Sequence, residues 1–322
     1  MEFLLDNAGV EFLKQNLDTQ GALGCDSALG NLFFMQSKGN IQLFVHENML
    51  LRYFCSDKNE KDAASINKSD SRTGWGFPLS LKTGSSDDES LKKALEFIIE
   101  KSKEEGFEPA FCFCTLEQKN KIAQTLATHF PPMQITWNSN RGDSDYLYLQ
   151  KNLAELGGTL FQKKRNHILR FLRTYGDSWS FKLFPQNDIV SDILVVEEAW
   201  FNQKNEPQNP YIIKERDYVK TALENAELLK LCGGVLYIEQ KPVAMTLATP
   251  VSPDVLDVHF EKAVFEHEAN GVYAMINNLF AKSQGSFLYF NREEDLGVEG
   301  LRKAKLSYKP AVILDKFYGR IM

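Results

Sequence analysis

Acids and bases alternate along residues 291–308, directly after a short apolar stretch, and side chains in this pattern could carry out chemistry. Charged groups at the end of a central strand are where α/β proteins commonly place ligand-binding residues. A carboxylate here could bind a substrate ammonium or take a proton from a nucleophile, and Lys305 or Arg292 could stabilise an oxyanion. A solvated ion-pair surface explains any single charge equally well. The cluster as a whole favours a functional site, because Gly297 and Gly300 bracket it on an apolar frame.

A second charged stretch is the local patch best suited to binding phosphate. It runs from Lys163 to His167 and continues with Arg170, on a helix predicted over residues 158–175. Its cations could meet the phosphates of a nucleic acid backbone. A solvated helix face is an equally good interpretation of this charge pattern.

The elements around these residues follow the order strand, turn, helix, strand. Residues 255–265 are predicted to form a long strand that carries Glu261 and Lys262, residues 272–284 a helix, and residues 287–290 a parallel strand. This order resembles the central part of the GNAT acyltransferase fold. In that fold the turn before the helix binds a pyrophosphate through its free backbone N–H groups.

The turn before this helix is poor in glycine. It holds Gly271 beside Asn270, with the acidic Glu266 and Glu268 close by. Sites for coenzyme A use a glycine-rich turn, because the backbone must approach the phosphates closely. The element order therefore fits an acyltransferase, whereas the turn favours an acyl donor other than acyl-coenzyme A.

The length of the chain predicts more than one domain. A chain of 322 residues exceeds what one hydrophobic core usually serves, and the first half has an α/β pattern of its own. With 43% hydrophobic and 25% charged residues, the composition is that of a folded protein. The formal net charge of −6 excludes a general polyanion binder, so a nucleic-acid or lipid contact would need a local basic patch.

Cysteine and histidine usage gives no sign of disulfides or of a metal site. The five cysteines are scattered and odd in number, which indicates reduced thiols in a cytoplasmic protein. His46, His129 and His267 have no partner at ligand spacing, so we predict no metal. No apolar run approaches the roughly 20 residues that cross a bilayer, so we also predict no transmembrane segment.

Four motifs between residues 145 and 308 occur together. They are Asp-Tyr-Leu-Tyr at 145–148, the basic helix at 163–171, Phe-Glu-Lys-Ala at 260–263, and Asn-Arg-Glu-Glu-Asp-Leu-Gly at 291–297 with its continuation to 308. Together they resemble a bacterial family whose domain is named after the C-terminal domain of phosphatidylglycerol lysyltransferase. Weaker similarity continues through the first half from about residue 30.

The resemblance implies an α/β fold of two tandem GNAT-like domains, residues 1–152 and 153–322, with mixed sheets flanked by helices. The lysyltransferases and the Fem-type peptidoglycan aminoacyltransferases take an aminoacyl group from aminoacyl-tRNA and pass it to a lipid hydroxyl or a peptidoglycan amine. We therefore expect an aminoacyl- or acyltransferase that meets the acceptor end of tRNA. Its acceptor would be a small molecule, a lipid headgroup or a peptide.

In this interpretation Glu261 or Glu294 assists deprotonation of the acceptor, and Lys305 acts at the reacting carbonyl. The residues expected to bind substrate are Lys262, Asn291, Arg292, Glu293, Asp295, Tyr308, Lys164, Arg165, Asn166 and Arg170. Two other functions stay open. One is a coenzyme A-dependent N-acetyltransferase, and the other is a non-catalytic GNAT pair that binds an amino acid, tRNA or a partner protein.

Overall fold

The computed structural model describes residues 2–55, 72–82, 88–204, 206 and 208–322. Its helices are α1 (Asn7–Asn16), α2 (Leu29–Ser37), α3 (Asp88–Glu105), α4 (Leu116–His129), α5 (Gln150–Glu155), α6 (Gln162–Tyr175), α7 (Val190–Gln203), α8 (Pro210–Glu224), α9 (Ala226–Leu229), α10 (Phe265–Glu268), α11 (Val272–Ser283) and α12 (Glu299–Leu306). Its strands are β1 (Ile41–His46), β2 (Met49–Phe54), β3 (Gly74–Trp75), β4 (Leu79–Ser80), β5 (Ala110–Cys114), β6 (Ile135–Ser139), β7 (Asp145–Leu149), β8 (Trp179–Phe184), β9 (Cys232–Ile238), β10 (Lys241–Ser252), β11 (Val255–Ala263), β12 (Tyr289–Asn291), β13 (Val312–Leu314) and β14 (Phe317–Ile321).

The chain divides into two compact units, and each unit is made of separate stretches of the chain. Unit 1 is made of Met1–Thr19, Asn31–Ser144 and Leu314–Met322, and unit 2 of Gln20–Gly30 and Asp145–Ile313. The predicted boundary between residues 152 and 153 instead assigns one continuous stretch to each unit. Strand periodicity in a sequence shows that a segment is a strand but not which sheet it joins.

Unit 1 is built on a mixed sheet. Among the described residues, seven strands lie in it, in the order β1-β2-β3-β5-β14-β6 with β4 paired to β2. Leu91, Leu95 and Ile98 recur at helical spacing along α3 and bury one face of that helix against the sheet around Trp75. Helix α4 begins with a capping box between Thr115 and Gln118 and packs into the same core.

Unit 2 carries the charged motifs on a second mixed sheet. Its described strands follow the order β13-β7-β12-β11-β10-β9-β8. Helices α6 and α11 pack on one face, where Phe171 of α6 meets Val272 and Ile276 of α11. Leu169 and Leu172 of α6 are exposed, whereas Phe171 is buried.

Strands β11 and β12 pair in parallel over a short length only. Val255, Leu256 and Asp257 face Tyr289, Phe290 and Asn291, and β11 then continues to Ala263 while β12 ends. Beyond these three residue pairs, β11 and β12 are no longer paired with each other. The edge of β11 past Asp257 is therefore open to side chains that follow β12.

A β-bulge changes which side chains of β11 share a face. Leu247 of β10 pairs with Phe260 and Ala248 pairs with Val258, so His259 is the additional residue. A bulge breaks the strict alternation of side chains along a strand and often occurs beside an active site. As a result Val258 packs in the core that includes Phe280 of α11, and Glu261 also reaches α11.

The structure confirms the predicted fold class, an α/β fold with two mixed sheets flanked by helices. In the described part of the chain, no helix combines the length and the apolar character required to cross a membrane.

Candidate functional site

An arginine lies at the point where β11 and β12 separate. Arg292 follows β12 directly, and its Nη2 donates a hydrogen bond to Glu261 Oε1 at 2.7 Å. The other carboxylate oxygen of Glu261 accepts a bond from Asn277 Nδ2 of α11 at 3.2 Å. Arg292 Nη1 is buried and donates to no group of the described residues. One side of the guanidinium is thus fixed by Glu261, and the other side retains a donor.

Two tyrosines and a lysine complete this group, which we call the arginine cluster (Glu261, Arg292, Tyr148, Tyr308 and Lys164). The guanidinium carbon lies 5.0 Å from the Tyr308 ring centroid and 5.8 Å from that of Tyr148. Lys164 Nζ, from the first turn of α6, lies 3.5 Å from the Tyr308 centroid. Cations at these distances are attracted to the ring faces. With two cations and one carboxylate, the cluster has a surplus of positive charge.

Burial and charge both affect the ionisation of the cluster. Burial and the nearby Arg292 together lower the pKa of Lys164 to about 8, while Glu261 opposes both effects. Burial by itself would lower the pKa of Arg292, but Glu261 and the two tyrosines raise it above its ordinary value. Burial raises the pKa of Tyr308, so its hydroxyl stays protonated.

Lys305 holds the backbone that carries Arg292. Its Nζ donates to the carbonyl oxygens of Arg292, Glu293 and Glu294, the last two at 3.0 and 2.5 Å. An ammonium has three protons, and these three bonds use all of them. Tyr148 in turn donates to the Lys305 carbonyl at 2.9 Å. In this arrangement Lys305 positions the loop, and a direct contact with a reacting carbonyl would require one of these bonds to break.

Asp295 closes the same loop from the other end. Its carboxylate accepts bonds from Tyr146 Oη at 2.5 Å, from Arg302 Nε and Nη2 at 2.7 and 2.8 Å, and from the Gly297 backbone at 2.8 Å. The Asp295 side chain is fully buried. Its contacts connect β7, the loop and α12, and they are all made within the protein.

Asn291 and Asp145 attach residues 20–30 to the sheet. Asp145 Oδ2 accepts from the backbone N–H of Cys25 and from Asn291 Nδ2, both at 2.9 Å. Asn291 Nδ2 also donates to the Leu23 carbonyl at 2.9 Å. Cys25 Sγ lies 3.3 Å from Asp145 Oδ1 and 3.9 Å from Glu294 Oε2. The side chains of Asn291 and Glu294 therefore belong to a group around Cys25.

His259, placed by the bulge, connects three polar side chains. Its Nε2 lies 2.7 Å from Thr249 Oγ1, and its Nδ1 lies 3.2 Å from Glu293 Oε1 and 3.6 Å from Asp257 Oδ2. The ligand atoms of Cys25, Asp257 and Glu293 lie within 4.8 Å of one another, as do those of Cys25, Asp145 and Glu294. These are the groups in the described part of the chain with the atom types and spacing that could hold a metal ion.

Lys262 points away from its neighbour Glu261. Its ammonium lies 2.6 Å from Glu197 of α7 and 3.3 Å from Glu215 of α8, over the ring of Trp200 at 3.9 Å. Consecutive residues of a strand face opposite sides of the sheet, which separates Lys262 from the arginine cluster. Burial raises the pKa of Glu215, and the adjacent Lys262 opposes that rise.

Three further polar residues of α6 were expected to bind substrate, and each makes a different contact. Arg165 donates to the carbonyls of Leu156 and Gly158 at 2.5 and 2.6 Å, which fixes the chain before α6. Asn166 is exposed and accepts a bond from Gln162. Arg170 is exposed and donates to the Ala269 carbonyl at 2.9 Å.

Helix α6 covers the turn that precedes α11. Besides the Arg170 contact, Tyr175 Oη lies 2.8 Å from His267 Nδ1 and accepts a bond from Asn270 Nδ2. Gly271 has φ +90°, and a Cβ there would come 2.3 Å from the carbonyl oxygen of His167. The glycine of this turn therefore permits close packing of α6.

The substitution Gly271→Ala is expected to destabilise unit 2. The positive φ alone costs a side chain about 1–3 kcal/mol, and the contact with His167 adds to this. Gly285→Ala is the matched control, since a Cβ there meets nothing within 4 Å. Urea unfolding of both variants measures the difference. Equal midpoints for the two variants would contradict the packing role of Gly271.

Comparison with known proteins identifies the family. Residues 24–319 match the family described as phosphatidylglycerol lysyltransferase, C-terminal. The chain belongs to this family.

Two solved structures and one curated protein illustrate the relationship. A conserved protein of unknown function from Bacteroides thetaiotaomicron is 30% identical, with a TM-score of 0.84 over 100% of this chain and 99% of that one. L-PGS from Bacillus licheniformis is 14% identical, with a TM-score of 0.60 over 98% of this chain and 91% of that one, which shows a shared fold. An uncharacterized protein of Mycoplasmoides gallisepticum is 20% identical over 219 residues, 64% of this chain and 68% of that protein.

The site residues expected from the lysyltransferase resemblance fall into separate groups. Glu261, Arg292, Tyr308 and Lys164 come together, and Lys305 supports them from behind the loop. The residues that lie in other groups are Lys262, Asn291, Glu293, Glu294, Asp295, Arg165, Asn166 and Arg170.

Several residues of these groups were missed from the sequence. Tyr148 was quoted in a motif without a role, and Asn277 and His259 were assigned none. Asp257, Thr249 and Cys25 lie far from each other along the chain, so spacing gives no signal for Cys25. Polar residues stand at every second position of the apolar strand, at Asp257, His259 and Glu261. This alternation was the available signal for Asp257 and His259.

Proposed function

We propose that this protein transfers an aminoacyl group from aminoacyl-tRNA to an amine or hydroxyl acceptor. Membership of the lysyltransferase family and the acyltransferase fold support the reaction type. The observation that carries the proposal is Arg292, which is held by Glu261 and keeps a buried Nη1 donor at the opening between β11 and β12. A donor fixed in this way is suited to the oxygen of a reacting ester carbonyl.

In the proposed reaction the arginine cluster positions the ester and stabilises the negative charge that develops on its carbonyl oxygen. Arg292 Nη1 donates to that oxygen, and the rings of Tyr148 and Tyr308 lie beside the guanidinium. Lys305 and Asp295 keep residues 292–297 in place, so that little reorganisation is needed as the charge appears. The acceptor would be a small molecule, a lipid headgroup or a peptide.

The turn before α11 supports aminoacyl-tRNA over coenzyme A as the donor. A pyrophosphate at this position would need the backbone N–H groups at the start of α11. Here α6 covers the turn through Arg170 and Tyr175, and Gly271 is packed against His167. The surface cavity at the turn, about 490 Å³, is lined by Phe265, Glu266, Glu268 and Ala269, whose two carboxylates would repel phosphates.

The test is transfer by the purified protein from individually charged tRNAs to phosphatidylglycerol vesicles, peptides and small amines. Loss of the aminoacyl ester above the hydrolysis rate, with a labelled product, is the expected result. Thiol release from acetyl-coenzyme A in the same acceptor mixtures, without transfer from tRNA, would establish the coenzyme A reaction instead. Saturable binding of charged tRNA without any product would support the non-catalytic alternative.

A further inference from the structure

Lys164 differs from the other cation of the arginine cluster in its partners. Arg292 is paired with Glu261, whereas in the described part of the chain no carboxylate oxygen lies within 4.0 Å of Lys164 Nζ. The amine rests instead 3.5 Å from the Tyr308 ring centroid and is partly buried. The ring face attracts the ammonium, but no carboxylate at ion-pair distance among the described residues holds Lys164 in its charged form.

Burial and one facing cation favour the neutral form of Lys164. The cation is Arg292, which lies near the same Tyr308 ring, and His167 follows one turn along α6. Glu261 of β11 is the facing carboxylate and acts in the opposite direction. Burial and Arg292 outweigh Glu261, so the pKa of Lys164 falls to about 8. A substantial share of the amine is therefore unprotonated just above neutral pH.

Acyl transfer to an amine or hydroxyl requires a group that takes the proton of the nucleophile. Glu261 is poorly suited, because its two oxygens accept bonds from Arg292 and Asn277. Lys305 is equally unsuited, because its three protons are bound to carbonyl oxygens. Lys164 lies in the same cluster as the proposed oxyanion donor and has a lone pair in its neutral form.

We propose that Lys164 is the general base of the transfer, an assignment that rests on the proposed function. As the acceptor nitrogen or oxygen bonds to the carbonyl carbon of the aminoacyl ester, its proton passes to Lys164 Nζ. When the ester C–O bond breaks, the Lys164 ammonium returns that proton to the departing ribose oxygen. The products are the aminoacylated acceptor and uncharged tRNA, and Lys164 is regenerated.

One measurement of Lys164 needs no enzymatic activity. Trace labelling with acetic anhydride across a pH series, read by mass spectrometry, gives the titration of individual lysines. Lys164 is expected to titrate near pH 8, well below the ordinary lysine value of 10.5, and the exposed Lys303 is followed in the same samples as the control. Glu261→Gln removes the carboxylate that favours the charged form and is expected to lower the Lys164 midpoint. A Lys164 midpoint equal to that of Lys303 would overturn the proposal.

The second measurement compares Lys164→Met with Lys164→Arg in tRNA-dependent transfer. Both variants are expected to lose about 10²–10⁴-fold in rate, because neither supplies a base at neutral pH. The rise in wild-type rate toward pH 8 should vanish, and methylamine should partly restore Lys164→Met. Wild-type transfer by Lys164→Arg would show that positive charge alone matters and would overturn the base role while the proposed function stands. Absence of transfer by the wild type from every charged tRNA would remove the proposed function and the base role together.

Discussion

Replacing Arg292 by Met is expected to lower tRNA-dependent transfer about 100- to 1,000-fold, the usual effect of removing one oxyanion donor. The reason is that Nη1 is a buried donor without an acceptor among the described residues, on a guanidinium that Glu261 holds through Nη2. Arg292→Lys keeps the positive charge but lacks the planar guanidinium that donates to Glu261 and to the substrate together. We therefore expect its transfer rate to lie between those of Arg292→Met and the wild type.

The Arg292 measurement needs a control for folding, because Glu261 loses its partner in the variant. Thermal unfolding should be recorded beside the rates, and Arg292→Met with Glu261→Gln should regain stability without regaining rate. Arg173→Met on the exposed side of α6 is the matched surface variant and should keep the wild-type rate. An Arg292→Met protein that folds and transfers at the wild-type rate would refute the oxyanion role.

Asp295→Ala is expected to destabilise unit 2 by about 1–3 kcal/mol, the cost of leaving buried hydrogen-bonding groups without their acceptor. The change leaves the Tyr146 hydroxyl, the Arg302 guanidinium and the Gly297 N–H without their acceptor. Denaturant unfolding measures the loss. Glu299→Ala, which removes an exposed carboxylate paired with Lys303 in the same region, should stay within about 0.5 kcal/mol of wild type. A loss below about 1 kcal/mol for Asp295→Ala would contradict the bridging role.

Low pH should remove the contribution that Asp295 makes to folding stability. Burial by itself would raise its pKa, but the bonds from Arg302, Tyr146 and Gly297 lower it to about 2, beneath the ordinary value of 3.8. A carboxylate with a depressed pKa stabilises the folded state fully above the unfolded value and loses that effect as pH falls through the folded value. The stability difference between wild type and Asp295→Asn should therefore shrink between pH 4 and pH 2. A difference that stays constant over this interval would exclude the ionised carboxylate as its source.

The order of elements around the site could be predicted because it depends on local patterns. The apolar alternation of β11, the helical spacing of α11 and the charged segment after β12 are all visible in the sequence. Which side chains come together was harder to predict. Glu261 and Lys262 were expected to share a site, but consecutive residues of a strand point to opposite faces of the sheet. The bulge at His259, which determines which face Glu261 takes, depends on pairing with β10.

The roles of the charged residues after Asn291 depend on distances that no spacing rule provides. Lys305 was a candidate for direct chemistry, yet its protons reach backbone carbonyls of residues 292–294. Asp295 looks like its acidic neighbours in the sequence but is buried with Tyr146, from a strand far away along the chain. A run of acids and bases therefore indicates a candidate region, but it does not separate the groups proposed to bind substrate from the groups that support the loop.

The last strand of the chain has a consequence for synthesis on the ribosome. β14 lies inside the sheet of unit 1, with Phe317 paired to Cys114 on one side and to Ser139 on the other. Residues 31–144 leave the ribosome long before β14 does, so β5 and β6 have no strand between them while unit 2 is being made. The two inner edges exposed in that interval are the kind of surface that pairs with other chains. The N-terminal part of this protein thus completes its fold last, and a nascent chain stopped before residue 317 would be a natural target for chaperones.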